Sequence, residues 1–204
     1  QLEVAQGDNS IAILVRHLQP LTENDRALWQ HFETHHPVQV LLQSKGYDTL
    51  ARLNDNDQVM PLDYKIPEYG LSLQFYPHQF TQVNALMNRE LVRTALGYLG
   101  DIANQVVADM FCGIGNFTLP LARAGARVVG IEGSQEAVIM GQHNAQRNGL
   151  ADHCHFADED LYSDTATTEV DASMLATLRH FGQFPQALIL DPPRSGAGPN
   201  LESW

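Results

Sequence analysis

The stretch VVADMFCGIGNFT, residues 106–118, constrains the fold of this chain more than any other. A run of Val and Ala that leads into Asp109 is typical of a strand buried on both faces of a sheet. Gly113 and Gly115 then allow a tight turn and a close approach of the backbone to a ligand. The stretch therefore predicts a buried strand, a glycine turn and the first turn of a helix, an arrangement that commonly holds a nucleotide-like cofactor.

The glycine turn alone does not identify the ligand. A dinucleotide-binding fingerprint requires a third glycine where Thr118 stands, so NAD is not favoured. After a helix predicted over 117–124, a second strand ends at Glu132, whose carboxylate can accept hydrogen bonds from both hydroxyls of a ribose. Together these features predict one βαβ nucleoside-binding site. The alternative is a helix-packing turn beside a surface glutamate.

Composition narrows the class of protein. The chain has 204 residues, of which 44% are hydrophobic, and this is enough for one domain with a large core, or for one such domain plus a small accessory unit. Because it has neither an apolar run that could span a membrane nor a signal-peptide pattern, we expect a soluble cytoplasmic protein without membrane contact. Cys112 and Cys154 are too few for a disulfide framework or a cysteine-built metal site, and we interpret both as buried thiols.

The charge of the chain limits its own contribution to nucleic-acid binding. The formal net charge is −12, with only 12 basic residues. Binding to phosphates draws its free energy from Lys and Arg side chains that displace counterions, so the chain is not a generic nucleic-acid surface. If the substrate is RNA, most of the basic contact surface must be local or lie outside this sequence.

The first part of the sequence predicts a small α+β unit with no assignable chemistry. Thr22 is a typical N-cap for a helix that carries Leu28 and Phe32 on its apolar face. His31 and His35 lie one helical turn apart, but no carboxylate completes a metal site. We interpret the two histidines as part of an exposed helix end, and we assign no metal site anywhere in the chain.

A long amphipathic helix is predicted to lead into the strand before the glycine turn. It is expected to start within residues 80–84 and to carry Val83, Met87 and Leu91 at helical spacing on its apolar face. Gln82 lies at its predicted N-terminus. There a side-chain amide could face a ligand, or it could merely cap the helix.

The last part of the sequence repeats the pattern of a strand that ends in an acid. A helix is predicted after Ser134, and then a short third strand, after which Asp160 could meet an adenine amino group or lie in a solvated loop. A further buried strand over 187–190 leads to Asp191, and two prolines then hold the backbone extended. Ligands of open α/β sheets bind at the carboxyl ends of strands, so Asp191 would share an edge with the glycine turn unless this segment is only a rigid connection.

Five short segments carry a family resemblance. They are FTQVN (80–84), DMFCGIGNF (109–117), VGIEG (129–133), NAQRNG (144–149) and DPPR (191–194). In this order they resemble the RNA (uracil-5-)-methyltransferases, and most of all the bacterial 23S rRNA branch. Related 5-methylcytosine enzymes place a cysteine after the proline of the last segment, where this sequence has Arg194.

The resemblance implies an α/β fold with the class I, Rossmann-like sheet of an S-adenosylmethionine-dependent methyltransferase, here incomplete and preceded by a small α+β central domain. Residues 1–70 would form that central domain, and residues 71–204 the N-terminal, cofactor-binding half of the methyltransferase domain. S-adenosyl-L-methionine would be the cofactor. Asp160 stands where this branch has an asparagine, and Asp191 would also lie beside the target base. The implied cofactor-binding residues are Gln82, Phe111, Gly113, Asn116, Glu132, Asp160 and Asp191.

The reaction implied by the resemblance is methylation of carbon 5 of a uridine in 23S rRNA. Enzymes of the family add a cysteine thiolate to carbon 6 of a flipped-out base, and a general base later removes the proton from carbon 5. Their cysteine lies in a Ser-Cys-Asn-Pro motif, which we expect beyond Trp204, and neither Cys112 nor Cys154 matches it. No catalytic residue is therefore assigned within this chain.

The resemblance also implies that the chain is a fragment. The branch has an N-terminal RNA-binding domain and cysteines for an iron–sulfur cluster, which this sequence lacks, so we expect no methylation by the chain alone. The expected partner is 23S rRNA, bound partly through missing regions, and no protein partner is evident. The strand over 187–190 should have an unpaired outer edge. A tRNA uracil-5-methyltransferase and a non-catalytic nucleoside-binding module are the two alternatives.

Overall fold

The structure of the chain, a computed structural model, describes residues 1–54, 57–162 and 172–197. The chain divides into two compact units. The first consists of Gln1–Lys65 and Gln74–Val83, and the second of Ile66–Leu73 and Asn84–Trp204. No helix within the described ranges has both the length and the apolar character needed to cross a membrane.

A mixed sheet and one helix form the first unit. The elements are β1 (Leu2–Gln6), β2 (Ile11–Arg16), α1 (Glu23–His35), β3 (Val38–Gln43) and β4 (Ala51–Arg52). The strand order is β1-β2-β3-β4, and α1 connects the parallel pair β2 and β3. The predicted cap of α1 is confirmed, because Thr22 Oγ1 accepts a hydrogen bond from the Asp25 N–H at 3.2 Å. Sequence reasoning missed β1.

The buried face predicted for α1 is wrong. Leu28 and Phe32 are exposed, and α1 has no buried residue. Instead, Trp29 packs with Leu21 against a small core that includes Val40. A helix covered by only one small sheet can leave apolar side chains in solvent, and residue spacing does not say which of them the sheet will cover.

Four parallel strands with helical connections form the core of the second unit. A two-stranded sheet of β5 (Leu62–Ile66) and β6 (Leu71–Phe75) precedes them in the chain. Within the described residues the parallel strand order is β10-β7-β8-β9. All four carboxyl ends therefore lie at one edge of the sheet. The elements are α2 (Ala85–Leu99), β7 (Val106–Met110), α3 (Thr118–Arg123), β8 (Arg127–Glu132), α4 (Gln135–Arg147), β9 (Cys154–Asp158), α5 (Ala172–Leu178) and β10 (Ala187–Leu190).

The burial of two neighbouring strands, β7 and β10, was predicted with different success. Every residue of β7 is buried, which confirms the prediction of a strand covered on both faces. The prediction that β10 is also buried is wrong, because Leu188 and Leu190 are 38% and 36% exposed. The edge position predicted for β10 is confirmed, since β7 is its only strand partner among the described residues.

Helix α2 starts later than predicted and buries a different face. Asn84 is its N-cap, and its Oδ1 accepts a hydrogen bond from the backbone N–H of Met87 at 3.0 Å. Met87 itself is 64% exposed, so the predicted apolar face is wrong. The buried residues are Asn88, Val92 and Leu96, spaced four apart along another stripe of the helix. Two apolar stripes coexist on α2, and helical periodicity alone does not choose between them.

Two helical glycines should respond oppositely to substitution by alanine. A Cβ on Gly141 of α4 would lie 2.5 Å from Cε1 of Phe156, whereas a Cβ on Gly97 of α2 meets no atom within 4 Å. We expect Gly97→Ala to raise the free energy of unfolding by about 0.5–1 kcal/mol, the usual gain in a helix. Gly141→Ala should lower it by about 1–3 kcal/mol, because the ring of Phe156 must shift. Urea denaturation checks both, and a stabilised Gly141→Ala variant would contradict the packing of α4 on β9.

Candidate functional site

The carboxyl edge of the parallel sheet brings together most of the predicted site residues. The glycine turn follows β7, Glu132 ends β8, Asp160 lies two residues after β9, and Asp191 follows β10 directly. In sheets of this kind ligands bind outside the carboxyl ends of the strands. Gln82 is the exception among the predicted residues, since it belongs to the first unit.

The glycine turn has the backbone conformation that its sequence predicts. Gly113 and Gly115 have φ angles of 52° and 98°, in the left-handed region that favours glycine. A Cβ on Gly115 would lie 2.3 Å from Cδ1 of Leu119, so close packing also requires glycine there. A Cβ on Gly113 would meet nothing within 4 Å, which leaves the backbone on that side open to a ligand.

Glu132 ties the glycine turn to the start of α4. Its Oε2 accepts a hydrogen bond from the Gly113 N–H at 3.1 Å, and its Oε1 accepts one from the Ser134 N–H at 3.0 Å. A carboxylate offers about four lone-pair directions, so these two bonds use only half of its capacity. The half-buried carboxylate is thus held in place and still has acceptor capacity for the two hydroxyls of a ribose.

Asp109 is a buried acid that sequence reasoning left out of the site. Its Oδ2 accepts a hydrogen bond from the Thr118 hydroxyl at 2.6 Å, and its buried Oδ1 has no hydrogen-bond partner. Burial raises the pKa of Asp109 to about 7; the Thr118 bond opposes this rise, and the charges of Asp191 and Glu132 add to it. Thr118 stands where a dinucleotide fingerprint has its third glycine, and its hydroxyl donates the hydrogen bond to Asp109.

The sequence feature that could have pointed to the pair of Asp109 and Thr118 is an acid within an otherwise apolar strand.

Two buried asparagines, Asn88 of α2 and Asn144 of α4, form hydrogen bonds with the glycine turn. Asn88 of α2 and Asn116 of the turn form a reciprocal amide pair, with N···O distances of 2.8 and 2.9 Å. From α4, the Asn144 amide donates to the carbonyl of Ile114 at 3.2 Å. Asn116 was predicted from the family resemblance, whereas its partner Asn88 was not predicted.

The other predicted residues border the same edge. The Phe111 ring packs against the core of the second unit, 5.7 Å from the ring of Tyr162. Asp160 is exposed, and its Oδ1 accepts a hydrogen bond from the Tyr162 N–H at 2.9 Å. Asp191 is half-buried, close enough to Asp109 to influence its pKa. An aromatic ring and two carboxylates therefore lie at the carboxyl ends of β7, β9 and β10.

Neither cysteine has the properties of an activated nucleophile. Cys112 is buried as predicted, and burial raises the pKa of its thiol well above the ordinary value. The prediction of a fully buried Cys154 is wrong, since this side chain is only partly buried, but burial still raises its pKa to about 12. Because the reactive form of cysteine is the thiolate, both thiols are inert near neutral pH.

Comparison with known proteins identifies the family. The family described as tRNA (Uracil-5-)-methyltransferase matches residues 10–203 of this sequence. The chain belongs to this family. Its relatives include the 23S rRNA (uracil(1939)-C(5))-methyltransferases RlmD of Hahella chejuensis and Nitrosospira multiformis, which are 42% and 43% identical to it over 197 residues. These alignments cover 97% of this chain but only 43% and 42% of the two relatives, so the chain spans about two fifths of their length.

Solved structures show the same fold. A tRNA (uracil-54, C5)-methyltransferase of Pyrococcus abyssi, in complex with S-adenosyl-L-homocysteine, has a TM-score of 0.66 and 17% identity, over 99% of this chain and 45% of that one. The aTrm5 protein, in a complex with tRNALeu, has a TM-score of 0.57 and 17% identity, over 95% of this chain and 52% of that one. The predicted α/β, Rossmann-like methyltransferase fold is confirmed.

Proposed function

We propose that the full-length protein transfers a methyl group from S-adenosyl-L-methionine to carbon 5 of a uridine in 23S rRNA. Within it, residues 71–204 supply the N-terminal, cofactor-binding half of the methyltransferase domain, and residues 1–70 form the central domain. Membership of the uracil-5-methyltransferase family supports the reaction. The names of the RlmD relatives support 23S rRNA as the substrate.

The carboxylate of Glu132 is the observation that carries the cofactor assignment. It is held by two backbone N–H groups beside the glycine turn and has acceptor capacity left for a ribose. The open side of Gly113 is a further feature that suits a bound ligand. The cofactor residues that we propose are Gln82, Phe111, Gly113, Asn116, Glu132, Asp160 and Asp191.

The proposed cofactor supplies an electrophilic methyl group on a sulfonium ion. Residues of this chain would hold and orient it: Glu132 would accept hydrogen bonds from the ribose, and Asp160 would accept one from the adenine amino group. The methionine portion would lie along the backbone at Gly113, and Asp191, which follows β10, would lie beside the target uracil as well.

The nucleophile that activates the uracil is proposed to lie outside this chain. Addition to carbon 6 requires a thiolate, and burial keeps Cys112 and Cys154 protonated. We therefore place the catalytic cysteine, the general base and most of the basic RNA-binding surface in the parts of the relatives that this chain does not match. The chain alone would bind the cofactor at best weakly and would not methylate RNA, and the missing basic regions also account for its net charge of −12.

A methyl-transfer assay on two RNAs tests this function. The full-length protein is incubated with methyl-labelled S-adenosylmethionine and a 23S rRNA transcript or a tRNA transcript, and 5-methyluridine is measured in each. We expect label in the 23S transcript. Label only in tRNA would favour the second candidate, a tRNA uracil-5-methyltransferase, which the family description and the Pyrococcus abyssi structure support. Cofactor binding without label in either RNA would support the non-catalytic alternative and overturn the proposal.

A further inference from the structure

The amide pair between Asn88 and Asn116 is unusual for its position. Asn88 is 4% exposed and lies on the buried stripe of α2, where its neighbours one and two turns later are Val92 and Leu96. An apolar residue would continue that stripe and would avoid burying an amide. Asparagine is also a poorer helix former than leucine. The presence of asparagine at position 88 is therefore explained by its hydrogen bonds and not by the stability of the helix.

The geometry of the pair restricts how Asn116 can point. The Asn88 Nδ2 donates to Asn116 Oδ1 at 2.8 Å, and the Asn116 Nδ2 donates to Asn88 Oδ1 at 2.9 Å. A flip of either amide alone would bring two oxygens and two NH2 groups together, so the orientation of each amide fixes that of the other. The pair therefore fixes the plane of the Asn116 amide and the directions in which its NH2 group and its oxygen point.

We propose that Asn88 is a positioning residue for the cofactor. By fixing the amide of Asn116, it presets the orientation of this side chain at the glycine turn, so that no binding energy is spent on ordering it. It also ties the first turns of α2 to the turn after β7. This inference rests on the proposed function, because it requires Asn116 to contact the bound cofactor.

The first test separates positioning from stability. Asn88→Leu removes the amide pair but extends the apolar stripe, whereas Val92→Ala leaves the pair intact and opens a cavity one turn away. Calorimetry with S-adenosylhomocysteine is expected to give a roughly tenfold higher Kd for Asn88→Leu, the equivalent of one lost hydrogen bond. Val92→Ala should keep Kd within about twofold of the wild type, although urea denatures it more easily.

The second test uses an acid at the same position. In Asn88→Asp, a carboxylate can still accept from the Asn116 Nδ2 but repels its Oδ1, whereas a protonated carboxyl group donates to that oxygen and restores both bonds. A buried carboxyl group has a raised pKa, so the change should fall within a measurable range. We expect the ratio of variant to wild-type Kd to be about ten at pH 8 and to approach one near pH 5.5. Asp109 titrates in both proteins, so its effect on the pH dependence of Kd cancels in this ratio.

The outcomes distinguish this inference from the function on which it rests. The measurements use the full-length protein. If its wild-type form does not bind S-adenosylhomocysteine, or if binding does not depend on Glu132, the cofactor assignment fails. If binding depends on Glu132 but Asn88→Leu matches Val92→Ala in Kd, the positioning role of Asn88 is overturned. A Kd ratio for Asn88→Asp that does not change with pH also overturns it.

Discussion

Glu132→Gln is expected to raise the Kd of S-adenosylhomocysteine about a hundredfold in calorimetric titrations. The new amide keeps one acceptor oxygen and places an NH2 group against either the Gly113 N–H or the Ser134 N–H, both of which are donors. It also removes a charged acceptor from the ribose hydroxyls. Hydrogen bonds to charged groups contribute about 1.5–3 kcal/mol, and about 3 kcal/mol corresponds to a hundredfold change in Kd.

The control for this variant is Glu136→Gln. Glu136 lies in the first turn of α4, is exposed, and loses the same charge on substitution. Its Kd should stay within about twofold of the wild type, because a solvated charge contributes little to binding. If the two variants bind equally well, the contacts of Glu132 serve only to shape the turn and the ribose assignment is wrong.

The stability of the chain is expected to fall as the pH rises through 7, because of Asp109. Burial raises the pKa of Asp109 in the folded state to about 7, whereas an unfolded aspartate titrates near 3.8. The folded state therefore binds the Asp109 proton more tightly than the unfolded state does. The stabilisation from this proton is complete below the unfolded pKa and is lost as the pH rises through the folded pKa. Between pH 6 and 8.5 we expect a loss of roughly 1–1.5 kcal/mol from this group, measured by urea denaturation.

Asp109→Asn provides the control for this titration. The amide oxygen can still accept the hydrogen bond from the Thr118 hydroxyl, but the side chain no longer ionises. The free energy of unfolding of the variant should lose this part of its pH dependence. If the free energies of unfolding of the wild type and the variant change in parallel from pH 6 to 8.5, Asp109 does not change its protonation in this range.

Local signals explain why much of the second unit could be predicted. The glycines of the turn after β7, the Ser134 cap of α4 and the acid at the end of β8 act within a few residues of the chain, and each was placed correctly. The family resemblance then connected these parts into a methyltransferase fold. Parallel pairing places the carboxyl ends of the strands at one edge, so residues that were predicted to follow strands lie at that edge.

Features that depend on distant neighbours were predicted poorly. Asn88 and Asn116 are 28 residues apart, and nothing in the spacing of either residue signals the amide pair. The buried stripe of α2 was missed because tertiary packing selects one of two apolar stripes. The exposure of Leu188 follows from the position of β10 at the sheet edge, which a pattern of apolar residues does not reveal.

A titration of the 15N-labelled chain with S-adenosylhomocysteine, followed by the backbone amide signals, tests the cofactor site most directly. We expect saturable shifts that are largest at Gly113 and Ser134, whose N–H groups hold the Glu132 carboxylate, and at Asn116. The amides of β1 to β4 should move little. Absence of saturable shifts, or largest shifts within β1 to β4, would contradict a cofactor site at the carboxyl edge of the parallel sheet.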